Sequence, residues 1–131
     1  MSRINWIEQL GWNEEHVEDL RYTGYSYIRQ GKYDIAIAFF EALAVLAPES
    51  LYDAQTLGAI YLQLNMPAKA MKCFDRALKL EGDHAPTLIN LAKAFLMLGR
   101  KEEAMRLANI LKTDRNLFIA NVARALILAY G

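Results

Sequence analysis

Histidine, cysteine and clustered carboxylates are the side chains with which this chain could do chemistry, and their spacing gives none of them a working partner. His16 and His84 are the two histidines, and neither sits in a ligand or general-base pattern. Both read as polar residues at helix entries. The acidic clusters Glu14, Glu15, Glu18 and Asp19, and Glu102 with Glu103, fall at expected helix starts, where carboxylates complement the positive end of the helix dipole. Cys73 is the single cysteine, so no internal disulfide forms, and beside Phe74 it reads as a semi-buried structural thiol. The chain carries no GxGxxG, phosphate loop or nucleophile elbow. No catalytic residue, metal ligand or cofactor is assigned, and the chain is not expected to be an enzyme.

What must position these residues is a repeat. Gly24, Gly58 and Ala92 recur at a spacing of 34, as do Tyr27, Tyr61 and Phe95, and Gly31, Asn65 and Gly99. Ala36, Ala70 and Ala104, and Phe40, Phe74 and Ala108, keep the same offset. A period of 34 is the length of one helix-turn-helix unit. Small residues belong where two helices cross closely, aromatics three residues later fill the space beside the crossing, and Gly or Asn ends the first helix in the left-handed conformation. Pro48, Gly82 and Asn116 close the successive units.

These residues resemble the tetratricopeptide repeat family, most fully in the second unit through Leu57, Gly58, Tyr61, Ala70, Phe74 and Ala77. Leu43 and Leu111 stand where the family has a small residue, which suggests wider packing there. The resemblance implies an all-α α-solenoid of three tetratricopeptide helix-turn-helix repeats, with an N-terminal amphipathic helix and a C-terminal capping helix, in a single domain. Residues 1–16 form the leading segment, 17–50, 51–84 and 85–118 the repeats, and 119–131 the end of the capping helix.

Composition narrows the partners. Lys plus Arg equals Asp plus Glu, 15 against 15, so no net field gathers nucleic acid or an anionic membrane. The apolar fraction of 54% exceeds the ordinary value of about 45–50%, and that surplus is expected to meet a protein. The most apolar stretches, Ile35 to Pro48 and Leu117 to Tyr130, are shorter than the roughly 20 residues of a membrane span. Met1 to Leu10 lacks the charged-then-apolar form of a secretory signal, so the expected location is cytoplasmic.

The resemblance implies that the first helix of each repeat lines a concave surface. The residues on it that point away from the core are Arg21, Tyr25 and Ile28; Tyr52, Gln55, Ala59 and Leu62; and Ile89, Lys93 and Leu96. They make an apolar groove with sparse polar handles, suited to apolar side chains of a helical or extended segment. Some tetratricopeptide domains instead clamp an acidic carboxyl terminus on this surface with Lys, Arg and Asn. The corresponding sites here include Tyr25, Thr56, Pro86 and Asn90, so most of that clamp is missing.

The ends form a second candidate surface. Ile4, Trp6, Ile7, Leu10 and Trp12 make a short amphipathic segment that either folds back on the first repeat or meets a partner. A last helix, capped by Thr113 or Asp114, is apolar around more of its circumference than one neighbour hides, and Leu117, Leu128 and Tyr130 lie outside its packed stripe. An exposed apolar patch marks an association site, for another copy of the chain as a homodimer or for a client.

The run Tyr27, Ile28, Arg29, Gln30, Gly31, Lys32, Tyr33 followed by Phe39, Phe40, Glu41, Ala42 and Leu43 is similar to the tetratricopeptide chaperones of bacterial type III secretion. That resemblance implies a protein client with an apolar segment, either a secreted translocator or a needle subunit, held soluble before export, with a small helical co-chaperone in the needle branch. A general scaffold that binds a short peptide is the alternative. No cofactor, nucleic acid or membrane span is implied.

Overall fold

Three corners of the backbone turn in the same way. Gly31, Asn65 and Gly99 have φ of 73°, 56° and 76°, the left-handed region that glycine enters without steric cost and asparagine tolerates. At each corner two hydrogen bonds close the helix end. The N–H of Gly31 donates to the Ile28 carbonyl and that of Lys32 to the Tyr27 carbonyl, both at 2.9 Å. Met66 to Tyr61 and Arg100 to Phe95 repeat the longer closure at 2.8 Å. This pairing satisfies the last carbonyls of a helix.

The computed structural model describes residues 5–131, and among them are eight helices and no strand. These are α1 (Trp6–Gln9), α2 (Glu14–Arg29), α3 (Tyr33–Leu46), α4 (Leu51–Gln63), α5 (Pro67–Leu80), α6 (Ala85–Met97), α7 (Lys101–Leu111) and α8 (Leu117–Tyr130). The pairs α2/α3, α4/α5 and α6/α7 pack as hairpins, each hairpin stacks on the next, and α8 lies against α6 and α7. The all-α stack of helical hairpins expected from the period is the observed fold.

Helix starts follow local chemistry. Asn13 and His16 form a reciprocal capping box at α2, Ser50 accepts from the Asp53 N–H at α4, and Pro67 opens α5. His84 is the N-cap of α6, with Nδ1 2.7 Å from Thr87 Oγ1. Both histidines are thus spent on helix entry. Asn116 caps α8 by accepting from the N–H groups of Phe118 and Ile119. Thr113 and Asp114 are not the cap; the Asp114 carboxylate accepts from the Asn116 N–H and orders the approach to it.

Inside the first two hairpins the recurring small residue faces a ring. A Cβ at Gly24 would lie 2.7 Å from Phe40 Cε2, and one at Gly58 would press still closer on Phe74. Phe40 and Phe74 are fully buried. In the third hairpin both members change together, to Ala92 and Ala108, and both are again fully buried.

The N-terminal segment differs from expectation. Its helix α1 is a single turn, because Gly11 at φ 66° closes it with the same left-handed corner, Trp12 N–H to Ile7 carbonyl at 2.9 Å. That turn brings Ile7 and Trp12 back against the first core. This is the fold-back arrangement of the two that the sequence leaves open, with Ile7 and Trp12 half-buried, whereas Trp6 and Leu10 remain exposed. Ile4 lies outside the described residues.

Gly58→Ala is expected to lower stability by about 1–3 kcal/mol through overpacking, and Phe74→Ala by about 3–5 kcal/mol through the cavity. In urea melts the double variant, which recreates the Ala92/Ala108 arrangement, should cost less than the two single losses added together; simple additivity would show that the glycine and the ring are not coupled.

Candidate peptide-binding groove

Between α2 and α4 lies a cleft of about 240 Å³, and its walls are drawn from helical neighbours: Tyr25 and Ile28 on α2, Gln55, Thr56, Ala59, Ile60 and Gln63 on α4, with Tyr33 from the start of α3. Tyr25 is anchored at both ends. Its ring meets the Phe40 ring edge-on at 5.1 Å, and its hydroxyl lies 3.2 Å from Thr56 Oγ1. The cleft wall is therefore tied directly to the core ring that sits against Gly24.

Of the groove residues expected from the repeat, the structure brings Tyr25, Ile28, Gln55 and Ala59 together in this cleft. Tyr52 is 64% exposed and stands edge-on to His84 at 5.7 Å. Lys93 is exposed, while Leu62 and Leu96 are half-buried, Leu62 against the first core. Ile89 is corrected. It is buried in a second core with Ala108, Leu111, Ile119 and Ala123, because α8 lies over α6 and covers the side on which its counterpart Gln55 stays open.

Arg21 belongs to an ion pair before it belongs to a groove. Its Nε donates to Asp53 Oδ1 at 2.7 Å and its Nη2 to Asp53 Oδ2 at 2.6 Å, a bidentate fork of the strong, charge-assisted kind. Glu18 takes the remaining arm. The hydrogen bond to Asp53 raises the Arg21 pKa against the opposing effect of burial. Asp53 is 1% exposed, so this pair fastens α2 to α4.

Sequence reasoning named Thr56 only as a clamp site and missed Ile60 and Gln63 as lining residues, although Ile60 lies i+4 from Thr56 and Gln63 i+4 from Ala59. Tyr33 gave no such signal, since it begins a second helix. Tyr22 was missed as well; it is 73% exposed, with the Arg29 guanidinium 5.8 Å from its ring centre.

Two weakly acidic groups of the first core hold their protons tightly. Burial pushes the Cys73 thiol from its usual 9.0 up to about 11, opposed by Arg76 and assisted by Glu41. Burial also raises the Tyr61 phenol, which donates to Glu41 at 2.6 Å. Cys73 is thus a structural thiol whose reactive form is suppressed. Among the described residues no group of His, Cys, Asp and Glu has the arrangement of a metal site, and no helix is long and apolar enough to cross a membrane.

With this geometry in hand, relatives can be placed. The family model described as "Anaphase-promoting complex, cyclosome, subunit 3" matches residues 29–109, more than half of the chain. The chain belongs to that family of tetratricopeptide repeats. A curated relative, "Protein O-mannosyl-transferase tmtc2" of Xenopus laevis, is 34% identical over 83 residues, covering 60% of this chain and 10% of its own length. The chain thus spans about a tenth of that relative.

Among solved structures, the type III secretion translocator chaperone SycD of Yersinia enterocolitica superposes with a TM-score of 0.83 at 16% identity, over 94% of this chain and 96% of SycD. PcrH of Pseudomonas aeruginosa gives 0.78 at 21% identity, over 90% and 93%. The first repeat domain of Spaghetti (RPAP3), bound to an HSP90 peptide, gives 0.77 at 24%, over 89% and 94%. At these identities the family member shares their fold.

Asp53→Ala should cost on the order of 2 kcal/mol, below the full value for a buried pair because Arg21 keeps Glu18 and some water, read as a lowered urea midpoint. The two raised acids contribute stability that is complete below their unfolded values and lost as pH climbs through the folded ones. The melting temperature is therefore expected to fall between pH 9 and 11, more shallowly in Cys73→Ala; identical slopes would contradict the shifted thiol.

Proposed function

We propose that this protein is a cytoplasmic, non-catalytic chaperone that holds an apolar segment of a type III secretion client, a translocator or a needle subunit, in the groove of α2 and α4 and so blocks its premature assembly. The observation that carries the reading is the cleft itself: Tyr25, Ile28 and Ala59 supply an apolar floor with Gln55, Thr56 and Gln63 as its polar handles. Peptides seat on similar stacks in PcrH, solved with the chaperone binding region of PopD, and in SycD, solved with a peptide of the translocator YopD.

Binding needs no ATP. Covering an apolar client face removes it from water at roughly 25 cal/mol per Å² before ordering costs. The extended groove takes in Tyr52 and Leu62 on α4 and Lys93 and Leu96 on α6, and Lys93 supplies a cation at its far end.

The same geometry disfavours an acidic carboxyl terminus as ligand. Spaghetti is solved with the HSP90 peptide SRMEEVD, but here Arg21 is already bound through Nε and Nη2 by Asp53 and through Nη1 by Glu18, and Tyr25 and Thr56 bond to each other. A carboxylate entering this site meets a neutralised cation.

Co-expression with the translocators and needle subunit of the same genome tests the reading. One of them should become soluble and co-purify, and Ala59→Arg, which fills the cleft, should weaken that complex by about tenfold or more while helicity and melting stay unchanged. Tyr52→Ala should weaken it less. A client bound equally well by Ala59→Arg, or none rescued at all, would remove the groove from the account.

A further inference from the structure

The second helix of the middle hairpin carries its charge in a line. On α5 the cations Lys69, Lys72, Arg76 and Lys79 stand at i, i+3, i+7 and i+10, the spacing of one stripe along a helix. Lys69, Lys72 and Lys79 are exposed and Arg76 is half-buried, while Ala70, Cys73, Phe74 and Ala77 fill the buried side of the same helix. The repeat does not require this row. One unit earlier the same places hold Ile35, Ala38, Ala42 and Val45, and one unit later Glu103, Arg106, Ile110 and Thr113. A hairpin lies on either side of α4/α5, so neither end of the chain accounts for it.

Within the chain the row has no counter-charge bound to it. Asp75 is the one acid on α5, three residues from Lys72 and four from Lys79, yet among the described residues the salt bridges are made by Arg21 and Arg100. Glu41 on α3 accepts from the Tyr61 phenol, and Glu103 on α7 is held by Arg100. Like charges three and four residues apart destabilise a helix, and this row stacks three such neighbours in succession. Two of its members are also held in place. Lys69 Nζ lies 5.7 Å from the centre of the Tyr61 ring, and Arg76 Nη2 donates to the Ala44 carbonyl at 3.5 Å.

We infer that the outer face of α5 docks an acidic helix of another protein, laid along it with carboxylates at the same spacing and one Lys or Arg opposite Asp75. Spacing selects the occupant, because carboxylates one turn apart on a helix keep step with four cations spread over about 15 Å, and each pair formed relieves the repulsion within the row. A polynucleotide or an anionic bilayer meets Asp75 inside the row and Glu81 and Asp83 just beyond its end, and of the large apolar residues on α5 only Leu80 is exposed to enter a bilayer. A second copy offers Glu14, Glu15, Glu18 and Asp19 on α2, but these span only about 8 Å, half the row, and Glu18 already holds Arg21. None of the residues lining the cleft between α2 and α4 belongs to α5, so the chain has room for a client and this second partner at once.

The test uses the full chain and two labelled, hydrocarbon-stapled helical peptides of 14 residues, the length of α5, equal in composition and charge. One carries Glu at i, i+3, i+7 and i+10, and the other spreads the same Glu residues around the helix. In fluorescence anisotropy the row peptide should bind about tenfold tighter than the scattered one, and added salt should weaken it. Lys72→Glu combined with Lys79→Glu should abolish its binding, whereas Ala59→Arg should leave it unchanged, which separates this face from the cleft. Circular dichroism melts confirm that each variant is folded. Equal affinity for the two peptides, binding of neither, or binding retained in the double charge variant overturns the inference. So does tighter binding to phosphatidylserine vesicles or to oligodeoxythymidine than to the row peptide, and so does a lone-chain dimer in sedimentation that the double charge variant dissolves.

Discussion

A phenyl ring needs room, and in this chain the room comes from an absent Cβ. Phe40 and Phe74 occupy space that any side chain at Gly24 or Gly58 would fill, so each hairpin is set by one helix lacking a carbon where the other brings a ring. Packing interiors behave like crystals, in which a methyl group is felt. The third hairpin reaches a like end with two alanines, sharing the volume more evenly. Everything else hangs from these crossings: Tyr25 leans on the Phe40 ring, and the cleft wall leans on Tyr25.

The polar links between hairpins do a different task. Arg21 with Asp53, and Tyr61 with Glu41, join the first hairpin to the second, and each is directional where apolar contact is not. Two hairpins sliding on a greasy face would lose both links. The stack therefore has a defined register between hairpins as well as a defined fold within them. Registry is what gives a groove assembled from several helices a constant width, and the Arg21 fork settles its electrostatics at the same time by leaving no spare positive charge at its centre.

Much of this was readable from residue types. The corners at Gly31, Asn65 and Gly99, the small residues facing rings, and the entry roles of His16 and His84 all follow from conformational preferences that act within a turn of helix, so spacing alone reveals them. What spacing could not reveal were facts of tertiary contact. Ile89 occupies a groove-lining place by number, yet α8 covers it. Ile7 and Trp12 suit either a partner or the first repeat by sequence, and Gly11 turns them back on their own chain. Asp53 looks like an ordinary first-turn acid, and nothing nearby in sequence announces that Arg21, a whole repeat earlier, will bury it. In the cleft, Tyr33 escaped notice because it comes from the other helix of its hairpin.

The left-handed corners have one more effect. Since each is closed by backbone donors and acceptors alone, the reversal from first helix to second within a hairpin is written into main-chain geometry, independently of which side chains decorate the outer faces. The fold of each hairpin and the chemistry of its faces are consequently separable: drift can repaint a wall while the bend behind it persists, much as a hinge keeps its throw when the door is resurfaced.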